Sequence, residues 1–213
     1  MTEYNKNLDY YENRAADMTG KLMGKLGTQE VRTMASLCEF TSFKIGGPAD
    51  ILIEPSSVEN VGAALELLRA SAYPFMVIGN GSNLLFSDKG YRGAILRIAD
   101  NLTKVEIAET QVTAEAGILL SKLASQFLES ELAGFEFASG IPGTLGGAVY
   151  MNAGAYDGEM KDVVDWAEVL MPDGKVERLS NTELGFSYRH SRIMEAGGIV
   201  LRVGLKLNRG MYK

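Results

Sequence analysis

Val77-Ile-Gly-Asn-Gly-Ser-Asn-Leu-Leu-Phe86 follows on a short apolar run, Phe75-Met-Val-Ile78, and the reading of this stretch decides the fold. Glycine reaches backbone angles closed to other residues and leaves main-chain NH groups free to face an anion. A second such segment, Ser139-Gly-Ile-Pro-Gly-Thr-Leu-Gly-Gly-Ala-Val-Tyr-Met-Asn-Ala-Gly-Ala155, has the same character. The two read as backbone cradles for one large phosphate-bearing cofactor, and a diphosphate suits them. The competing reading is the dinucleotide fingerprint G-x-G-x-x-G, and Gly79-Asn-Gly81 supplies its first half. Leu84 stands where the third glycine belongs, and Lys89-Gly90-Tyr91 signals a turn where the phosphate-binding helix would begin, so the Rossmann reading fails. Each segment alone reads as a tight turn; two long ones, the second mixing Gly with Pro142 and Asn152, do not.

Working outward, Asp50 to Glu54 reads as a strand, Pro55-Ser-Ser57 as a turn and helix N-cap, and Val58 to Arg69 as an amphipathic helix. With Phe75 to Ile78 this makes a βαβ-like unit whose last strand feeds the first glycine loop. From Ala94 onward the pattern changes to short strands: Ala94–Ile98, Lys104–Ile107 and Gln111–Ala116, then a helix from Leu119 to Glu129. Pro172-Asp173-Gly174 turns a hairpin between Val163–Met171 and Lys175–Leu179, and Gly198 to Leu207 forms a last strand. The expected organisation is an N-terminal extension over residues 1–40 with a short helix and loose packing, a first subdomain over 41–100 and a second over 101–208.

The formal net charge of -6 over 213 residues and the scatter of Lys and Arg give no basic footprint, which argues against nucleic acid. A polar start and the lack of a run of about twenty apolar residues argue against a leader and membrane insertion, so a cytoplasmic protein is expected. One cysteine, Cys38, and one histidine, His190, exclude an internal disulfide and argue against a metal centre. Cys38 reads as a small half-buried hydrophobe.

Thr41-Ser-Phe-Lys-Ile-Gly-Gly-Pro-Ala49, Ile78 to Phe86, Ser139 to Ala148 with Met151-Asn-Ala-Gly-Ala155, and Phe186-Ser-Tyr-Arg-His-Ser191 together resemble the UDP-N-acetylenolpyruvoylglucosamine reductase (UDP-N-acetylmuramate dehydrogenase) family. The likeness runs in order from residue 41 to about 208. It implies an α+β, two-subdomain FAD-binding fold of the vanillyl-alcohol-oxidase/PCMH type. It further implies NADPH as hydride donor and a small-molecule substrate, a UDP-sugar enolpyruvyl ether reduced to UDP-N-acetylmuramate for peptidoglycan, with a monomeric enzyme expected. Gly79, Asn80, Gly81, Ser82, Asn83 and Leu84 would face the FAD diphosphate. Gly140, Ile141, Pro142 and Gly143, then Gly146, Gly147 and Ala148, would run along the flavin and ribityl chain, with Asn152, Gly154 and Ala155 extending that wall. Some members of the wider fold attach FAD through a histidine in the diphosphate loop; this loop has none, so noncovalent FAD is expected.

The resemblance makes Arg189 the active-site arginine, suited to pair with a carboxylate and to stabilise enolate character beside it. Tyr188 is a neighbour that orients it or a core aromatic, and His190 reads as structural or exposed. The family's proton-donating serine and assisting glutamate belong to a C-terminal substrate-binding domain, and neither is found here, so an FAD-binding portion is expected. Another noncovalent flavin oxidoreductase of the same fold, or a flavin-holding module without turnover, remain as alternatives.

Overall fold

The computed structural model describes residues 3–210, with residues 3–12 as backbone only. It divides into two compact units, the first ending at Arg97 and the second beginning at Ile98.

The first unit contains α1 (Glu3–Leu26), β1 (Val31–Ser36), β2 (Pro48–Ile53), α2 (Val58–Ala70), β3 (Phe75–Ile78) and β4 (Tyr91–Arg97). Its sheet runs β1-β2-β4-β3, with β1 antiparallel to β2 and both β2 and β3 parallel to β4. The crossover through α2 therefore skips one position, which β4 fills. The Ser57 hydroxyl accepts from the Asn60 backbone NH at 3.2 Å and starts α2. Val61, Ala64, Leu65 and Leu68 then bury one face at helical spacing. Leu52 and Ile95 of the sheet are fully buried with Leu37, Ala49, Ile78 and Phe86 around them.

The N-terminal region differs from expectation. In place of a short helix and a loose lead-in, α1 runs 24 residues and packs on α2. Gly20 and Gly24 each weaken a helix interior by about 1 kcal/mol relative to alanine, and they obscured it in the sequence. Tertiary contacts override them: Met18 and Leu22, one turn apart, are buried. Arg14 donates to the carbonyls of Ser71 (3.1 Å) and Ala72 (2.6 Å), just past the end of α2, and lies over the Tyr73 ring.

The second unit continues with β5 (Val105–Ala108), β6 (Gln111–Glu115), α3 (Leu120–Glu129), β7 (Leu132–Ala133), α4 (Leu145–Tyr150), β8 (Gly154–Ala155) and β9 (Gly158–Glu159). It ends with β10 (Val164–Leu170), β11 (Val176–Ser180), α5 (Asn181–Leu184), α6 (Arg192–Ala196), β12 (Ile199–Lys206) and β13 (Asn208–Arg209). Its main sheet is antiparallel throughout, in the order β11-β10-β12-β6-β5. The turn read from Pro172-Asp173-Gly174 is present, closed by Gly174 NH to Met171 O at 3.0 Å. The last apolar run is the central strand β12, against which α4 packs. Phe127 of α3 meets Phe135 edge-on at 5.1 Å between centroids.

Trp166, the sole tryptophan, lies directly over its cross-strand partner Gly204, and Arg178 stacks on the indole at 3.9 Å. A Cβ on Gly204 would sit inside the indole's van der Waals envelope. Gly204→Ala is therefore expected to lower stability by about 1–3 kcal/mol through overpacking. Urea unfolding followed by Trp166 fluorescence reads this directly, and an unchanged midpoint would contradict the packing described.

Candidate functional site

The first glycine loop is shaped by the protein before any ligand is considered. Gly81 has φ +63°, and a Cβ there would overlap the main-chain carbonyl oxygen of Phe40. Ser42 NH donates to Gly81 O at 3.3 Å, and Gly47 NH to Ser87 O at 2.9 Å, so the loop is laced to the segment from Leu37 to Pro48. Phe40 is held in turn: Arg32 and Arg97 stand over its ring at 5.1 and 5.3 Å, and both pair with Glu54, Arg97 at 2.6 Å. Protein main chain fills the space that a Gly81 side chain would take, so only the main chain of Gly81 is left to face a ligand. The Leu84 side chain packs against the buried cluster around Leu37 and Phe86, which leaves its main chain for a ligand. Gly79, Asn80 and Ser82 are half-buried and Asn83 is exposed, so their side chains or main chain are open to a ligand.

In the second segment the small residues separate into two groups. Gly146 is buried, donates its NH to Ala116 O at 2.8 Å, and would place a Cβ 2.8 Å from that of Ala116. Gly154 would place one 2.6 Å from Gly158 O across the β8–β9 hairpin. Ala148 is buried, and Gly143 O accepts from Leu120 NH at 3.0 Å. Gly146, Gly154 and Ala148 are small for internal packing. Gly140 and Gly147 are different: both are exposed, Gly140 has nothing within 4 Å of a built Cβ, and Gly147 has only Thr144 Oγ1 at 3.5 Å. No internal contact demands glycine at either position, and a bare main-chain surface is what a flat cofactor ring requires. Pro142 is exposed, with Ile141 and Ala155 half-buried.

Arg189 sits in a two-residue turn. Ser187 and His190 exchange backbone hydrogen bonds at 3.1 Å each, so Tyr188 and Arg189 form the tip. Arg189 has φ +53°, a conformation that costs a side-chain-bearing residue about 1–2 kcal/mol. Such strain persists only where surrounding structure imposes it. The guanidinium is exposed, donates from Nη2 to Gly154 O at 3.2 Å and lies 5.9 Å from the Tyr188 ring centroid. Ser191, fully buried, donates to Tyr150 O at 2.5 Å and ties the turn to the end of α4. His190 is half-buried, with Nε2 3.3 Å from Glu195.

Asn152, expected on the cofactor wall, is 1% exposed and its side chain is committed to protein. Its amide donates to Glu159 Oε2 (2.6 Å) and Ser187 O (2.9 Å) and accepts from Lys161 NH (3.0 Å). Only its main chain is left for a ligand. Glu159 was not foreseen from sequence; its sole local signal is the reciprocal capping with Asp162, three residues on. The hydrogen bond from Lys161 holds the Glu159 carboxyl below its ordinary value of 4.5, reinforced by the Lys161 charge, by Asn152 and by the Arg189 charge against partial desolvation.

Among the described residues no helix is long and apolar enough to cross a membrane. The arrangement is a two-subdomain FAD-binding fold of the vanillyl-alcohol-oxidase type, not a Rossmann fold. The solved 4-ethylphenol oxidase from Gulosibacter chungangensis matches it with a TM-score of 0.68 over 91% of this chain and 42% of that one, at 20% identity, a likeness of fold alone. A sequence profile described as "FAD binding domain" matches residues 49–180, and the chain belongs to that family of FAD-binding domains. It is 44% identical over 196 residues to the UDP-N-acetylenolpyruvoylglucosamine reductase of Clostridioides difficile strain 630, covering 92% of this chain and 64% of that protein. The solved UDP-N-acetylenolpyruvylglucosamine reductase of Thermus caldophilus matches at 37% identity with a TM-score of 0.72, over 85% of this chain and 64% of that one. The chain thus spans less than two thirds of the length of these relatives.

Two outcomes follow from this geometry. Gly81→Ala is expected to lower the melting temperature of the FAD-free protein, because the new methyl must displace the Phe40 main chain; an unchanged melting temperature would contradict the packing described. Glu159, its pKa depressed on folding, contributes stability that is present above its unfolded value and is lost as pH falls through the folded value, below 4.5. Carbon-13 titration should find the Glu159 midpoint below 4.5, moving up in Lys161→Ala; a midpoint at or above 4.5 in the unaltered protein would rule out this account.

Proposed function

We propose that this chain is the flavin-holding portion of a UDP-N-acetylenolpyruvoylglucosamine reductase, acting with NADPH on the enolpyruvyl ether of UDP-N-acetylglucosamine to give UDP-N-acetylmuramate. FAD, when bound, supplies the hydride relay between the two substrates. The observation that carries the reading is the exposed Arg189 guanidinium, held on a turn in a backbone conformation that the surrounding packing imposes. A guanidinium pairs bidentately with a carboxylate and keeps its charge, so Arg189 would bind the enolpyruvyl carboxylate and stabilise negative charge developing beside it. It would move no proton. Asn80, Ser82 and Asn83, with the main chain of Gly79, would contact the diphosphate, and the main chain at Gly140 and Gly147 would lie along the flavin. The scatter of Lys and Arg along the chain supports small-molecule ligands over nucleic acid, and a cytoplasmic, monomeric protein completes the reading.

Titration of the purified chain with FAD tests the cofactor half of this reading. At about 100 times the dissociation constant, FAD should stabilise the fold by roughly 2.7 kcal/mol, and acid precipitation should release it intact. No shift in melting temperature or flavin absorbance would overturn it. The substrate half is tested in a chimera in which this chain replaces the matched portion of the C. difficile reductase. There Arg189→Ala should leave flavin reduction by NADPH nearly intact and slow reoxidation by the enolpyruvyl substrate by about two to three orders of magnitude. Stopped-flow flavin absorbance separates the two steps, and unchanged reoxidation would remove Arg189 from the mechanism.

A further inference from the structure

We infer that Asn152 is the positioning residue of the Arg189 turn, acting through the two hydrogen bonds its buried amide donates to Glu159 and to the Ser187 carbonyl. Several observations carry this. Asn152 ends α4 at φ +46°, a left-handed conformation that asparagine tolerates better than most residues. That conformation places its side chain against two elements distant in sequence. One Nδ2 hydrogen bond reaches Ser187 O, the residue whose NH and carbonyl pair with His190 to close the turn. The other reaches Glu159 Oε2, and Oδ1 takes the Lys161 NH, so the whole amide is used. With 1% exposure, no water replaces these partners.

The same carboxylate feels the Arg189 charge, so Glu159 faces Asn152, Lys161 and Arg189 together. Arg189 is in turn anchored to Gly154 O, on the hairpin strand that pairs with Glu159 across β8 and β9. The result is a closed circuit: Asn152 to the base of the turn, the turn to Arg189, Arg189 to Gly154, Gly154 to Glu159 by strand pairing, and Glu159 back to Asn152. Within it Asn152 is the one uncharged, fully buried side chain. Removing it takes one donor each from the Ser187 carbonyl, which keeps only His190 NH, and from the Glu159 carboxylate, which keeps Lys161 and the Asp162 NH. The Arg189 backbone strain then has less to hold it, and the guanidinium loses its fixed direction.

This inference rests on the reading of Arg189 as the carboxylate-binding arginine, but its test uses neither substrate nor FAD. Amide hydrogen exchange by NMR is measured on the 213-residue chain and on Asn152→Gly and Asn152→Asp, both of which accept a positive φ. The Ser187 and His190 amides should exchange about tenfold faster or more in both variants, the size expected when one hydrogen bond of about 1.4 kcal/mol holding the turn is lost. The Arg189 Nε–Hε resonance should move toward the position of a free arginine, while the amides of β12 keep their protection. Ser187 and His190 exchange within twofold of the unaltered chain, or an equal loss of protection across β12, would overturn the positioning role. The Arg189 reading fails by a separate result, unchanged reoxidation in the Arg189→Ala chimera, so the two failures are distinguishable.

Discussion

Main chain packed against main chain, with no room for a side chain between, fixes the first cradle. At Gly81 the carbonyl of Phe40 occupies the space of the missing Cβ, and at φ +63° a side chain would be strained even if that space were open. Contact of this kind is rigid because neither partner has a rotamer to change. Phe40 cannot retreat either, since Arg32 and Arg97 stand over its ring and share Glu54. Arg97 ends β4 and Glu54 directly follows β2, so the conformation of the loop after β3 is set by the sheet's own strands. A loop held by this chain of contacts has its backbone conformation fixed before any ligand arrives.

The second unit solves a similar problem with a side chain. No glycine stands at Asn152, and its amide does there what backbone contact does at Gly81: it ends a helix in a left-handed turn and fastens a distant loop. A side-chain amide offers direction that a glycine contact lacks, because two donors and one acceptor each fix an angle. It also carries more risk, since loss of any partner leaves a buried polar group unpaired.

Strand and helix positions were largely legible in the sequence because burial writes them there. Phe75–Ile78 was read to the residue, and Val58–Ala70 and Leu120–Glu129 to within a residue at each end, from apolar spacing and from Ser57 as a cap. α1 was not, because its glycines and polar start mask a stripe that only α2 gives meaning to. α4 was hidden inside a glycine-rich run read as loop, although Leu145, Ala148 and Val149 already show a helical face. Arg189 is singled out by its motif, yet its positive φ and its bond to Gly154 have no sequence signal. The partners of Asn152 lie 7, 9 and 35 residues away, and contacts of that range between polar atoms follow no period.

The glycines show most plainly where sequence reasoning stops. A Gly-rich run was read as a single statement, that the backbone must be accessible to a ligand, but it contains two different ones. Gly81, Gly146 and Gly154 are small because the protein itself comes too close. Gly140 and Gly147 meet no such neighbour and face outward. Composition cannot separate the two, since both produce the same letter. Geometry can, because a Cβ placed on each shows whether the protein's own packing requires the glycine or leaves its reason open.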